Sequence, residues 1–162
     1  MRWNPQGKPN ATILFFTLLI GVAGLVPRVT ALDDFLTYDE AYHWIGRTER
    51  FFDALVEHHW AGTRQTGHPG VTTMWGGSLG LALEHLAVAR GWVPPPTPLE
   101  HLAWLRLPLA VLHSLLVAVS YVLLRRLVTP LTALFAAWFW AACPFLIAHA
   151  RVLHMDALLA DL

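Results

Sequence analysis

The sequence predicts an all-α, polytopic transmembrane protein. Composition is the first reason: of 162 residues, 56% are apolar and only 14% charged, against about 45–50% and about 25% in a soluble domain. The second is three apolar runs, at 11–27, 107–124 and 131–149, each close to the length that a helix needs to cross hydrocarbon. The third is the presence of eight tryptophans, a residue that favours the membrane–water boundary, where an apolar ring and a polar N–H are both accommodated.

Taken in order, the chain opens with a polar segment holding Arg2 and Lys8 and no acid. Ala11 to Val26 is then apolar apart from threonines and glycines, and Pro27-Arg28 follows. That is a first span near the lower limit of length. Val29-Thr30-Ala31 also has the small residues of a signal-peptide cleavage site, but the further spans downstream suit an uncleaved anchor. From Pro27 to about Leu105 the sequence is mixed and holds most of the acids and histidines, which suggests a long first loop. Within it, 71–90 is apolar on one side yet carries Gly76-Gly77, Glu84 and His85. A carboxylate in hydrocarbon is costly, so this segment reads as an interfacial or re-entrant helix. A second span is expected over 107–124, with Pro108 in its first turn, where a missing N–H does least harm. Thr129-Pro130 then marks a turn, and 131–149 is a third span that Pro144 should kink near its end. The last residues, Ala157 to Leu162, read as the start of another apolar helix, so the chain is expected to be the N-terminal part of a longer protein.

Basic residues at span ends mark the cytoplasmic side. Arg2 and Lys8 place the N-terminus inside, and Arg125-Arg126 place the second turn inside as well. Three crossings satisfy both, with the first loop and Arg151–Asp156 outside. A crossing by 71–90 would reverse the later segments.

Several function classes fall away. The formal net charge is zero, so no basic field points to nucleic acid. One cysteine, Cys143, excludes an internal disulfide and a cysteine metal cluster. No Gly-rich phosphate loop, nucleophile elbow or dinucleotide fingerprint occurs.

Three constellations remain. In Thr37-Tyr38-Asp39-Glu40-Ala41-Tyr42-His43-Trp44, two adjacent acids follow a membrane exit among aromatics. On a helix they project about 100° apart, so one faces any given site. Against a low-dielectric wall a carboxylate serves as a general base, though the pair fits a solvated helix start equally well. In Thr66-Gly67-His68-Pro69-Gly70, a histidine stands at a turn before a helix. At the end of the third span, Arg151 offers a planar fork for phosphate, and Asp156 could position a metal or a hydroxyl. His58, His59, His149 and His154 lack a standard ligand spacing and read as solvated or structural.

The ordered set Asp39-Glu40-Ala41-Tyr42, His68-Pro69, Arg125-Arg126, then Arg151 and Asp156 with Leu158-Leu159 resembles the N-terminal part of GT-C glycosyltransferases. The branch it resembles is family 39, the protein O-mannosyltransferase-like enzymes and aminoarabinose transferases. Gly70 stands where that family often has a second proline. The resemblance implies that residues 1–162 form the N-terminal part of one transmembrane domain of an integral, multi-pass membrane protein. It implies transfer of a sugar, with inversion, from a polyprenyl-phosphate donor to a protein, lipid or glycan acceptor on the extracytoplasmic face. Asp39 would then be the catalytic base and Glu40 would orient the acceptor or the loop. His68, Arg151 and Asp156 would bind substrate, with Arg151 on the carrier phosphate. Asp39 and Asp156 are the carboxylates that could hold a divalent metal. The competing expectations are a non-catalytic membrane protein, such as a transporter part or an assembly factor, and an inactive truncated fragment. A transporter needs a polar path through the membrane, and the spans offer only His113 and a few hydroxyls.

Overall fold

The computed structural model describes residues 11–65 and 70–156, and all regular structure within them is helical. The first helix, α1 (Ala11–Val29), is the expected first span; Pro27 lies in its last turn. A short connection leads to a π-helical turn, Glu40–Trp44, which runs directly into α2 (Ile45–Val56). After a 3₁₀ turn at Trp60–Thr63 come α3 (Val71–Ala89) and α4 (Pro98–Leu127). The chain then folds back into α5 (Pro130–Ala142) and α6 (Pro144–Ala150).

Two of these helices, α1 and α4, are long and apolar enough to cross a membrane, and α5 with α6 makes a third if the pair counts as one span. Such helices are compatible with a membrane protein. Large side chains stay exposed along them: Leu14, Leu18 and Val22 on α1, Leu115 and Val119 on α4, and Phe139 on α5. Lipid can cover such side chains where water cannot do so favourably.

The second span differs from its expected start. The helix begins at Pro98, nine residues before Leu107, so Pro108 lies inside it rather than in its first turn. The reason is local. Thr97 accepts a hydrogen bond from the Glu100 N–H, the Glu100 carboxylate accepts one from the Thr97 N–H, and Pro98 occupies the first helical position. This capping box fixes the start however polar the next turn is. At 30 residues, α4 is about 45 Å long at 1.5 Å per residue. A hydrocarbon core of about 30 Å takes about twenty of these residues and leaves about ten over.

The helix expected as a third span breaks where Pro144 was expected to kink it. Cys143 is extended, and α5 and α6 meet at 55°. Proline lacks an N–H, so the Trp140 carbonyl four residues earlier loses its usual helical donor, and the break frees the Ala141 carbonyl beside it. Arg28 of α1 supplies replacements: its guanidinium, almost fully buried, donates to the Ala141 carbonyl at 2.9 Å and to the Trp140 carbonyl at 3.4 Å.

Packing follows small residues. Gly21 and Gly24 of α1 face Ala118 and Val117 of α4, and Phe16 meets Tyr121, so the two helices run antiparallel. On α5, Ala133, Ala137 and Ala141 form a buried stripe at a spacing of four, in the cluster built on Ile20, Val117 and Tyr121. Small faces let helix backbones approach where lipid removes the hydrophobic drive between them. The helix α3 pairs with the first half of α4, again antiparallel: Gly76 lies against Leu109, Gly80 against the Trp104 carbonyl, and Glu84 against His101. Only glycine fits at position 80, because a Cβ there would run into that carbonyl. Pro108 is the residue whose missing N–H leaves this carbonyl without its usual helical donor. Glu84 and His101 meet at 2.7 Å, and Glu49 of α2 lies 3.4 Å from the other ring nitrogen. The helix α3 is not among the candidate spans.

Candidate functional site

The residues singled out in the sequence gather at one end of the bundle, where α1 ends, the first half of α4 passes and α6 runs out. Glu40 is at the centre. Its side chain is fully buried and accepts five hydrogen bonds. Thr37 donates its N–H at 3.1 Å and its hydroxyl at 2.6 Å. Arg106 donates as a fork, from Nε at 2.8 Å and Nη2 at 2.6 Å. The Leu153 N–H donates at 2.7 Å. The local part of this arrangement is a Thr-x-x-Glu capping pattern at Thr37–Glu40, which starts the π-helical turn. The distant part ties three segments together, since Arg106 comes from α4 and Leu153 from the segment after α6. Burial raises the carboxyl pKa of Glu40. The hydrogen bonds from Arg106, Thr37 and Leu153, together with the charge of Arg106, outweigh that burial and hold it below its ordinary value of 4.5.

Arg106 also donates to the Leu32 carbonyl and lies over the Phe35 ring, 4.5 Å from its centroid. Arg151 approaches the same ring at 6.0 Å and donates from Nη2 to the Ala31 carbonyl at 2.6 Å. Its Nε–H is buried without a hydrogen-bond partner among the described residues. Arg151 is therefore held at one arm and has donor capacity left.

Asp39 precedes Glu40 and points the other way, its side chain more than half exposed. His154 Nε2 lies 3.8 Å from Asp39 Oδ2, and His154 Nδ1 lies 3.2 Å from Asp156 Oδ2. The ring stands edge-on to Trp44, with centroids 5.4 Å apart. Beside Asp39, the rings of Tyr38 and Tyr42 stack with centroids 4.3 Å apart, and both are largely exposed.

The structure thus brings together Asp39, Glu40, Arg151 and Asp156, four of the five site residues expected from the sequence. The fifth, His68, lies outside the described residues, as do Leu158 and Leu159. The two acids of the pair divide by environment: Glu40 is buried and saturated, Asp39 is open. For the divalent metal considered at Asp39 and Asp156, no set of three His, Cys, Asp or Glu side chains suited to hold an ion occurs among the described residues.

Two residues escaped the sequence reading. Arg106 sits between Leu105 and Leu107 at the edge of an apolar run, and a lone charge there was the available signal. His154 read as a solvated or structural histidine, and only the fold places it between Asp39 and Asp156. No protein-family model, curated protein or solved structure matches the chain.

Proposed function

We propose that this protein is a membrane glycosyltransferase that moves a sugar from a polyprenyl-phosphate carrier to an acceptor hydroxyl at the extracytoplasmic membrane interface. The observation that carries the reading is the division of labour between Asp39 and Glu40. Glu40 has no lone pair to spare for a substrate and serves as the anchor of the loop. That anchor leaves the neighbouring carboxylate, Asp39, open at the same end of the bundle as Arg151. A base and a cation at one interface suit a donor whose leaving group is a lipid phosphate.

The chemistry is a single displacement. The acceptor oxygen forms its bond to the anomeric carbon as the bond from that carbon to the phosphate oxygen breaks. Asp39 takes the hydroxyl proton, and the polyprenyl phosphate leaves with the electron pair. Attack opposite the leaving group inverts the anomeric centre. Arg151 offers donors to the phosphate, where charge develops. The exposed Tyr38–Tyr42 stack supplies an aromatic face beside the base, of the kind that sugar rings lie against.

The test is sugar transfer by the full chain in liposomes, with polyprenyl-phosphate mannose, glucose and aminoarabinose as donors and a membrane extract as acceptor. Asp39→Asn should reduce transfer by at least about a hundredfold, the usual scale of general-base catalysis, and leave membrane insertion intact. Unchanged turnover would remove Asp39 from the mechanism. Efficient use of a nucleotide sugar without the lipid carrier would overturn the donor class.

A further inference from the structure

We infer that His154 is a positioning residue for Asp39, donating to it from Nε2–H; this rests on the transferase reading above. The inference starts from two neighbouring pairs. Glu40 and Asp39 are consecutive, as are Leu153 and His154. The Leu153 N–H is bound to Glu40 at 2.7 Å in the buried layer. In the exposed layer next to it, His154 Nε2 faces Asp39 Oδ2 at 3.8 Å. The buried pair therefore acts as a register pin that sets the exposed pair opposite each other, although the two residues lie far apart in the chain.

The other ring nitrogen faces Asp156: Nδ1 lies 3.2 Å from its carboxylate Oδ2 and 3.3 Å from its backbone nitrogen. A carboxylate oxygen only accepts, so the contact with Asp39 is made by the ring carrying a proton on Nε2. Trp44 fixes the ring plane by its edge-on contact. Trp44 is itself buried and is the last residue of the π-helical turn that Asp39 precedes, so base and imidazole are positioned by one rigid unit. At 3.8 Å the two groups are poised rather than bonded, and such contacts tighten when substrate binds. Once they close, one Asp39 oxygen is held by His154 and the other, Oδ1, is left for the acceptor hydroxyl. Without His154 the carboxylate can rotate, and fewer of its orientations suit proton removal.

Replacement by amides tests this directly. The side-chain nitrogen of glutamine reaches the position of Nε2, whereas phenylalanine keeps the ring packing on Trp44 and offers no donor. In the liposome assay with polyprenyl-phosphate mannose, glucose and aminoarabinose, His154→Phe should lower kcat about tenfold or more, the scale set by a lost orienting contact. KM for the donor should change little, and His154→Gln should recover most of kcat. A second readout needs no turnover. In the histidine-labelled full chain, the ¹⁵N signals of His154, assigned by their loss in His154→Gln, should show a proton on Nε2 and should move on Asp39→Asn. Equal losses in the Gln and Phe variants, or a His154 signal indifferent to Asp39, would overturn the inference while transfer by the unaltered chain still upholds the proposed function. Failure of the unaltered chain to transfer from all three donors would overturn that function, and with it any role for His154 in transfer.

Discussion

At the scale of single residues, the Glu40–Arg106 pair decides how the candidate site is held. Both side chains are fully buried, and a buried ion pair adds little stability over an apolar pair of the same shape. Breaking it is different, because the surviving charge has nowhere to go. Glu40→Gln keeps the shape and leaves Arg106 buried beside a neutral amide, which should cost about 3–5 kcal/mol, read as a lower melting temperature in detergent. The sign of the pH effect follows from the lowered pKa of Glu40. A depressed carboxylate contributes its full stability above the unfolded-state value near 4.5, and loses it as pH falls through the folded-state value below that. The melting temperature should therefore fall on acidification below about pH 4.5, and the part of that fall due to Glu40 should vanish in Glu40→Gln. An identical acid profile in both proteins would show that other carboxylates govern the acid limit.

At the scale of elements, the break between α5 and α6 depends on a residue of another helix. Pro144 withholds an N–H from the turn before it, and the Arg28 guanidinium donates to the Trp140 and Ala141 carbonyls. Arg28→Met retains the apolar length and removes those donors. It should destabilise the fold by about 1–3 kcal/mol, the cost of removing the donor of the buried Ala141 carbonyl, and lower the melting temperature in detergent. A variant as stable as the parent would mean that the break is held by packing alone. The break was legible in the sequence because a proline inside an apolar run has one local consequence. The partner was not, because Arg28 and Ala141 are 113 residues apart and nothing local joins them. The same divide runs through the site. The Thr37–Glu40 pattern and the Asp39–Glu40 pair are visible in a few letters, while the Arg106 fork spans 66 residues. The start of α4 was a different case. Thr97 and Glu100 carry a readable cap, yet the search for an apolar run placed the start at Leu107, because hydropathy finds the lipid-facing part of a helix and not its end.

For the whole molecule, the arrangement of helices bears on which residues share a compartment. The helices α1 and α4 are antiparallel, and α5 runs beside α1 in the same direction, since Arg28 meets Ala141. The Arg125-Arg126 corner therefore lies at the end where α1 begins. The Glu40 site lies at the opposite end, with Arg151 and Asp156. What could alter this is α3, which is 19 residues long. Its pairing argues that it does not cross: Glu84 of α3 faces His101 in the polar first turn of α4, a helix longer than a bilayer core of about 30 Å requires. The prediction concerns four exposed positions, each changed singly to cysteine after Cys143→Ala: Tyr42 and Asp156 at the site, Trp92 just after α3, and Leu127 at the far corner. A membrane-impermeant thiol reagent applied to intact cells should label Tyr42→Cys, Trp92→Cys and Asp156→Cys. It should reach Leu127→Cys only after the membrane is opened. Labelling of Tyr42→Cys but not Trp92→Cys would mean that α3 crosses, and a lipid-phosphate donor could then not meet Asp39 and Arg151 on one face. Glu84 and His101 make that outcome costly, because the bilayer would have to hold a carboxylate beside an imidazole at a depth where neither is solvated.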